Sequence, residues 1–79
     1  MVTTTKGTPL AFASSDSSTI VSASYDPKTE TMTVQFRHGD AVYRYTKIPA
    51  LTWHGFYHAE SRGKFFQQRI RPVFTGEEL

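Results

Sequence analysis

A chain of 79 residues without cysteine forms one small domain, with neither disulfides nor thiolate metal ligands to stabilise it. Six phenylalanines, four tyrosines and one tryptophan are the large side chains available for its core. No apolar run approaches the roughly 20 residues that span a bilayer, and the apolar block at residues 9–13 is shorter than the roughly 7–15 residues of a signal-peptide core. We therefore expect a cytoplasmic protein.

The N-terminal residues 1–17 are rich in Ser, Thr, Ala and Gly and are predicted to form a flexible tail. Leu10 and Phe12 are two residues apart, which leaves a short edge strand as an alternative within that tail. The folded domain is predicted to span residues 18–74, and residues 75–79 are expected to be frayed.

Strand patterns follow one another from Thr19 to Tyr45. In the first, residues 19–25, the pattern places Val21, Ala23 and Tyr25 on one face. Asp26 and Pro27 then favour a turn, in which the Asp26 carboxylate accepts a hydrogen bond from the backbone two residues on. Alternating apolar residues on both sides of Gly39 predict a β-hairpin. A two-residue loop at positions 38–39 would set these residues opposite one another: Phe36 and Ala41, Val34 and Tyr43, Met32 and Tyr45; a loop at positions 39–40 is the alternative.

Helical spacing replaces the strand pattern after Pro49. Residues 50–59 repeat apolar side chains at a helical period, and residues 64–71 form a second helical pattern that Pro72 ends. Ser61 is a good N-cap for the second helix. The sequence therefore predicts an α+β fold: a three-stranded antiparallel meander followed by two short helices packed on one face, with the other face open. The apolar positions of the first helical pattern are Leu51, Trp53, Phe56 and Tyr57.

An ordered set of short motifs resembles the KTSC domain, a family of short bacterial and phage modules that also occurs at the C-terminus of some lysyl-tRNA synthetases. The set runs from Ser17-Ser18 and Tyr25-Asp26-Pro27 through Tyr43-Arg44-Tyr45 to a late segment. That segment comprises Ala59, Ser61, Gly63, Phe66 and Ile70. The resemblance implies no established activity. It suggests RNA binding through the synthetase association, and a phage accessory protein in the host cytoplasm.

Positive charge is concentrated in the folded part of the chain, where residues 31–71 hold seven basic and two acidic side chains, a net charge of +5. Tyr43 and Tyr45 either pack in the core or present rings for stacking on an unpaired base. Arg37 and Arg44 lie on the predicted open face, either as a solvated surface or as a contact for an anion. The candidate residues for binding nucleic acid or a partner are Arg37, Tyr43, Arg44, Tyr45, Arg62, Lys64, Arg69 and Arg71.

No catalytic motif accompanies these residues, so we expect a protein that is not an enzyme and that needs no cofactor. His54 and His58 have the four-residue spacing of a metal-binding pair. However, the HExxH pattern is absent, so we interpret them as ordinary surface histidines and expect no metal site. Two hypotheses remain. The chain is either a module that binds RNA or other single-stranded nucleic acid, or a phage-encoded protein-interaction module that acts as an adaptor or an inhibitor of a host protein. Monomer and homodimer both stay open.

Overall fold

The computed structural model describes residues 8–13 and 19–79 and shows a five-stranded antiparallel sheet with two helices on one face. The strands lie side by side in the order β1-β2-β3-β4-β5. Four strands precede the helices and the fifth follows them. Their bounds are β1 Ala11–Ala13, β2 Ile20–Asp26, β3 Thr31–Phe36, β4 Val42–Tyr45 and β5 Gly76–Glu78. The helix α1 spans Ala50–His58, and α2 spans Arg62–Phe65 and continues as a π-helical turn, Phe66–Ile70; we call residues 62–70 the second helix.

The central hairpin has the predicted register. Val34 lies opposite Tyr43 and Met32 opposite Tyr45, and the Phe36 N–H donates to the Ala41 carbonyl at 2.8 Å. The loop between them contains a 3-10 turn, His38–Asp40, in which Gly39 has φ of 72°. A positive φ of this kind is tolerated best by glycine, so Gly39 sets the turn and the turn fixes the register.

The prediction of a three-stranded meander was wrong at both edges of the sheet. At one edge Ala11–Ala13 adds β1, because the Phe12 ring packs on Phe56 with ring centroids 5.4 Å apart. At the other edge residues 76–78, which we expected to be frayed, pair with β4 as β5. The rest of the predicted flexible tail, residues 1–7 and 14–17, lies outside the described residues.

A β-bulge in β2 overturns the predicted assignment of faces at its start. Ile20 lies opposite Phe36, whereas Ser22 lies opposite Gln35, so Val21 is the extra residue. Because the bulge shifts the alternation by one position, Ile20 joins Ala23 on the helix-covered face and is fully buried. The pattern had placed Val21 there instead.

The core lies between the sheet and the helices. Trp53 is 2% exposed and stacks on Tyr25, with centroids 5.4 Å apart and planes 8° apart. Its indole N–H donates to the Pro9 carbonyl at 2.9 Å, which fixes the segment before β1. Leu51, predicted to belong to the apolar face of α1, is instead 83% exposed. The buried residues are Ile20, Ala23, Tyr25, Met32, Val34, Tyr45, Ile48, Trp53, Phe56, Phe66 and Ile70.

Candidate functional site

Two concave surfaces lie on opposite sides of the sheet. One is a broad depression of about 590 Å³ on the open face, which we call the open-face depression. The other is a groove of about 320 Å³ between the β3–β4 hairpin and the second helix, which we call the hairpin–helix groove. The depression is lined by Ser24, Tyr25, Asp26, Thr29, Thr31, Thr33, Arg44, Thr46 and Glu77. The groove is lined by Thr19, Phe36, His38, Ala41, Tyr43, Tyr45, Phe66, Gln67 and Arg71.

The positive charge of the open-face depression is balanced within the fold. Thr33 lies opposite Arg44 on the neighbouring strand, and Arg44 lies opposite Glu77 of β5. The Arg44 Nη2 atom donates to the Glu77 Oε1 atom at 2.9 Å. Exposed pairs of this kind contribute about 0–1 kcal/mol to stability, but they reduce the field that an incoming anion meets. The arginine predicted to attract a partner here therefore has an acidic neighbour within the chain.

Aromatic rings form the floor of the hairpin–helix groove. Phe36 packs edge-to-face on Tyr43, with centroids 5.6 Å apart, and on Phe66, with centroids 5.2 Å apart. The hairpin register brings Phe36 and Tyr43 to one face, and Phe66 is buried from the second helix. Tyr43 is only half-buried, so part of its ring faces the groove. Phe36 and Tyr45 both contact the Tyr43 ring, with the Tyr45 centroid 6.5 Å away, and a partly exposed ring packed in this way is a rigid surface for stacking.

Polar and basic side chains form the rim of the groove. Gln67 and Arg71 lie four residues apart on the same helical face, and the Arg71 Nη1 atom donates to the Gln67 Oε1 atom at 3.3 Å. His38 contributes from the hairpin loop. The lining residues that the structure describes include no carboxylate, so Arg71 meets the groove without an acidic counter-charge there.

Tyr45 lines the same groove from within the core. Its side chain is 6% exposed and packs edge-to-face on Phe66, with centroids 5.3 Å apart. Burial raises the pKa of the Tyr45 hydroxyl; the charge of Arg71 opposes that rise and Tyr43 adds to it. Because the ring is enclosed on its faces, Tyr45 packs in the core and leaves Tyr43 as the ring available for stacking.

Arg62 has contacts within the fold that occupy its guanidinium group. Its Nε and Nη2 atoms donate to the Tyr57 carbonyl at 3.0 and 2.7 Å. The guanidinium carbon lies 3.9 Å from the centroid of the Phe12 ring. Arg62 therefore binds the C-terminal end of α1 and holds β1, both of which favour a cation at that position.

The remaining predicted residues are spread over the surface. Lys64 and Arg69 are exposed on the second helix, and Arg37 lies at the end of β3, where its backbone N–H donates to the Thr19 carbonyl at 2.9 Å. The structure thus brings only Tyr43, Tyr45 and Arg71 of the eight together in one groove.

Sequence reasoning missed Phe36, His38, Phe66 and Gln67 as lining residues of the groove. The four-residue spacing of Gln67 and Arg71 was a readable signal for a shared helical face. Nothing in the sequence indicated that this face of the second helix meets the hairpin.

The fold defines the chain as a small α+β module, in which an antiparallel sheet carries two helices on one face and a groove opens beside the second. Residues 16–74 match the KTSC domain, and the chain belongs to this family. The sequence resemblance is thereby confirmed.

Known relatives agree with this membership. A KTSC domain protein of known crystal structure from Yersinia pestis superposes with a TM-score of 0.80 at 32% identity, over 87% of this chain and 94% of that one. A lysine–tRNA ligase of Nostoc punctiforme is 36% identical over 64 residues, and one of Nostoc sp. (strain PCC 7120) is 34% identical over 55 residues. The matched segments cover 81% and 70% of this chain but only 11% and 10% of those enzymes.

Two features are absent from the part of the chain that the structure describes. None of its helices combines the length and apolar character needed to cross a membrane. Within the same residues, no group of three or more His, Cys, Asp or Glu side chains lies together as a metal cluster.

Proposed function

We propose that this chain is a small non-catalytic module that binds single-stranded RNA in the hairpin–helix groove. The observation that carries the proposal is that the groove holds both a partly exposed ring, Tyr43, and an arginine, Arg71, with no carboxylate among the lining residues that the structure describes. A base stacks on the ring and its phosphate contacts the guanidinium group, which is the usual combination in sequence-tolerant single-strand binding.

The pairing of charges on the two faces supports the same surface. Lys64 and Arg69 are exposed on the second helix but do not line the groove, so Arg71 is the arginine that supports this assignment. On the opposite face, Arg44 is paired with Glu77. We therefore assign the RNA to the groove side of the sheet rather than to its open face.

The relatives supply independent support. Two proteins that contain a segment similar to this chain are lysine–tRNA ligases, enzymes whose names specify tRNA. This chain matches about a tenth of each enzyme. A segment similar to this chain thus occurs within larger enzymes that act on tRNA, and this supports RNA binding as the proposed role of the chain.

The test is fluorescence anisotropy of a labelled single-stranded RNA of about ten nucleotides, measured over a series of salt concentrations. Binding should weaken steeply with salt, and the Arg71→Gln variant should lower the slope of log K against log salt by about 0.7, the value for one phosphate contact on a single strand. Tyr43→Leu should weaken binding by about 1–3 kcal/mol, whereas Tyr43→Phe, which keeps the ring, should bind like the parent chain.

The matched control is Arg44→Gln, because Arg44 is also an exposed arginine but lies on the opposite face. Its binding and its salt slope should equal those of the parent chain. Equal losses in Arg44→Gln and Arg71→Gln, or binding that salt does not change, would contradict the proposal. Thermal unfolding of each variant separates loss of binding from loss of fold.

A protein-interaction module is the second candidate, and it has one observation in its favour. Leu51 is 83% exposed on α1 and is available to an apolar partner. Of the aromatic side chains of α1 that could anchor such a partner, Trp53 and Phe56 are 2% and 0% exposed, and Tyr57 is partly buried. Since aromatic anchors carry most of the energy in protein interfaces, we place this candidate below RNA binding.

A further inference from the structure

Two histidines on the exposed side of α1 lie side by side. His54 and His58 are four residues apart, so they share one helical face, and their ring centroids are 4.5 Å apart with an interplanar angle of 53°. Both side chains are exposed, and neither lines the hairpin–helix groove. This pair is therefore separate from the surface proposed to bind RNA.

One nitrogen atom of each histidine ring lies next to the same oxygen atom, that of the Thr8 hydroxyl. The Thr8 hydroxyl contacts the His54 Nδ1 atom, and it lies 3.4 Å from the His58 Nε2 atom. The segment that carries Thr8 is held over α1 by the bond from the Trp53 indole to the Pro9 carbonyl. Since both nitrogens face a single oxygen, they are aimed at one small volume rather than at separate regions of solvent.

We propose that His54 and His58 form a two-imidazole site for a divalent transition-metal ion such as Zn²⁺ or Ni²⁺. Neutral imidazole nitrogens are preferred ligands of these ions, and two histidines at this spacing on a helix can bind one ion together. The ion takes the place between the two nitrogens that the Thr8 oxygen occupies in the structure, and water fills its other positions. The spacing was visible in the sequence, but the convergence on one atom was not.

The competing interpretation is that Thr8 and the histidines form only a hydrogen-bonded contact that holds the N-terminal segment. The two interpretations differ in whether the chain binds a metal ion, and in whether that binding persists when the Thr8 hydroxyl is removed. A metal site keeps its two nitrogen ligands in Thr8→Ala and continues to bind the ion. A contact that exists only for the segment gives no saturable metal binding in any variant.

The test is a titration of the full chain, without a histidine tag, with ZnCl₂ or NiCl₂ by isothermal calorimetry. We expect one ion per chain, and loss of saturable binding in His54→Ala and in His58→Ala, with Thr8→Ala still binding. The matched control is His38→Ala, because His38 is the remaining histidine of the chain and lies in the hairpin loop, away from the pair. It should bind the metal like the parent chain.

Two additional readouts report on the same site. Because the ion binds the folded chain and not the unfolded chain, it should raise the unfolding midpoint by about 5–10 °C at a metal concentration tenfold above the dissociation constant. CuCl₂ should quench the fluorescence of Trp53, the single tryptophan, which directly precedes His54. Absence of binding, or equal binding by the His54→Ala and His38→Ala variants, would overturn the proposal. His54 and His58 do not line the hairpin–helix groove, so RNA binding should be unchanged in His54→Ala and in His58→Ala, and the two proposals fail separately.

Discussion

Replacing Gly76 by alanine should destabilise the fold through a single side chain, Tyr45. The Tyr45 ring lies directly against the Gly76 backbone on the adjacent strand. A Cβ atom added at Gly76 would lie 2.6 Å from the Tyr45 Cε2 atom and 2.7 Å from its hydroxyl oxygen. Carbon atoms in favourable contact are about 3.5–4.0 Å apart, so either the ring or β5 has to move by about an ångström.

The surroundings of Tyr45 set the size of the effect. The side chain is 6% exposed and packs edge-to-face on Phe66, so its ring cannot turn away without disturbing the core. Overpacking of this kind costs about 1–3 kcal/mol, and the lower entropy of the unfolded alanine chain returns about 0.4–1 kcal/mol. The net loss is about 1–2 kcal/mol, which lowers the unfolding midpoint by about 4–16 °C in a domain of this size.

The assay is thermal unfolding followed by circular dichroism, with Gly63→Ala as the matched control. A Cβ atom at Gly63 would meet only Thr19, with its nearest atoms 3.5 Å away, which is an ordinary contact. Since Gly63 lies in α2, alanine there should stabilise the fold by up to about 1 kcal/mol. An unchanged or higher midpoint for Gly76→Ala would refute the packing argument, as would a loss of equal size for Gly63→Ala.

Three other changes test the contacts that hold the helices and the sheet together. Tyr25→Phe removes the bond from the Tyr25 hydroxyl to the Ile48 carbonyl (2.6 Å) and should cost about 1–2 kcal/mol in urea unfolding. Burial, together with the charges of Glu30 and Asp26, raises the pKa of the Tyr25 hydroxyl above its usual value of 10.0. The stability that the neutral hydroxyl contributes is therefore complete below pH 10 and is lost as the pH rises through the folded-state pKa. The parent chain should therefore lose stability above pH 10 more steeply than Tyr25→Phe, and parallel profiles would contradict this. Ser61→Ala removes the N-cap bond to the Lys64 N–H (3.3 Å) and should cost about 1 kcal/mol by the same measurement, whereas a loss near zero would mean that the cap is solvated. Arg62→Gln should lower stability and increase hydrogen exchange in β1, because β1 depends on the cation–ring contact; unchanged exchange would count against it.

The hairpin could be predicted because its information is local. Strict alternation on both sides of Gly39 allows few registers, and a one-residue slip would move Val34 and Tyr43 to the solvent face. The turn at Asp26 was equally local, and the Asp26 carboxylate accepts from the Lys28 N–H at 2.9 Å as expected. The N-cap at Ser61 was confirmed for the same reason.

The edge strands depend on contacts between distant parts of the chain and could not be read in this way. β1 is three residues long and forms around Phe12, whose ring meets α1 more than forty positions away in the sequence. β5 contains Gly-Glu-Glu, a composition that is poor in strand formers. It forms because Gly76 fits beneath the Tyr45 ring and Glu77 reaches Arg44. Tertiary packing therefore overrode local propensity at both edges.

The candidate site was predictable only in part, for a related reason. The sequence identified the basic residues but could not tell which of them the fold itself would use. Tyr43 and Tyr45 have the same local pattern, yet Tyr45 is enclosed by the second helix while Tyr43 remains half-buried at the groove. The difference arises from where the helix crosses the sheet, which no short segment encodes.

Net charge therefore overstates the surface available to an anion. Residues 31–71 carry a net charge of +5, but Arg44 is paired with Glu77, which lies outside that segment. Arg62 donates both of its hydrogen bonds to the Tyr57 carbonyl and covers the Phe12 ring, so its charge stabilises the end of α1. With those two arginines engaged, Arg71 is the arginine of the predicted set that lines the groove. The proposal of RNA binding therefore depends on Arg71 and not on the net charge of the segment.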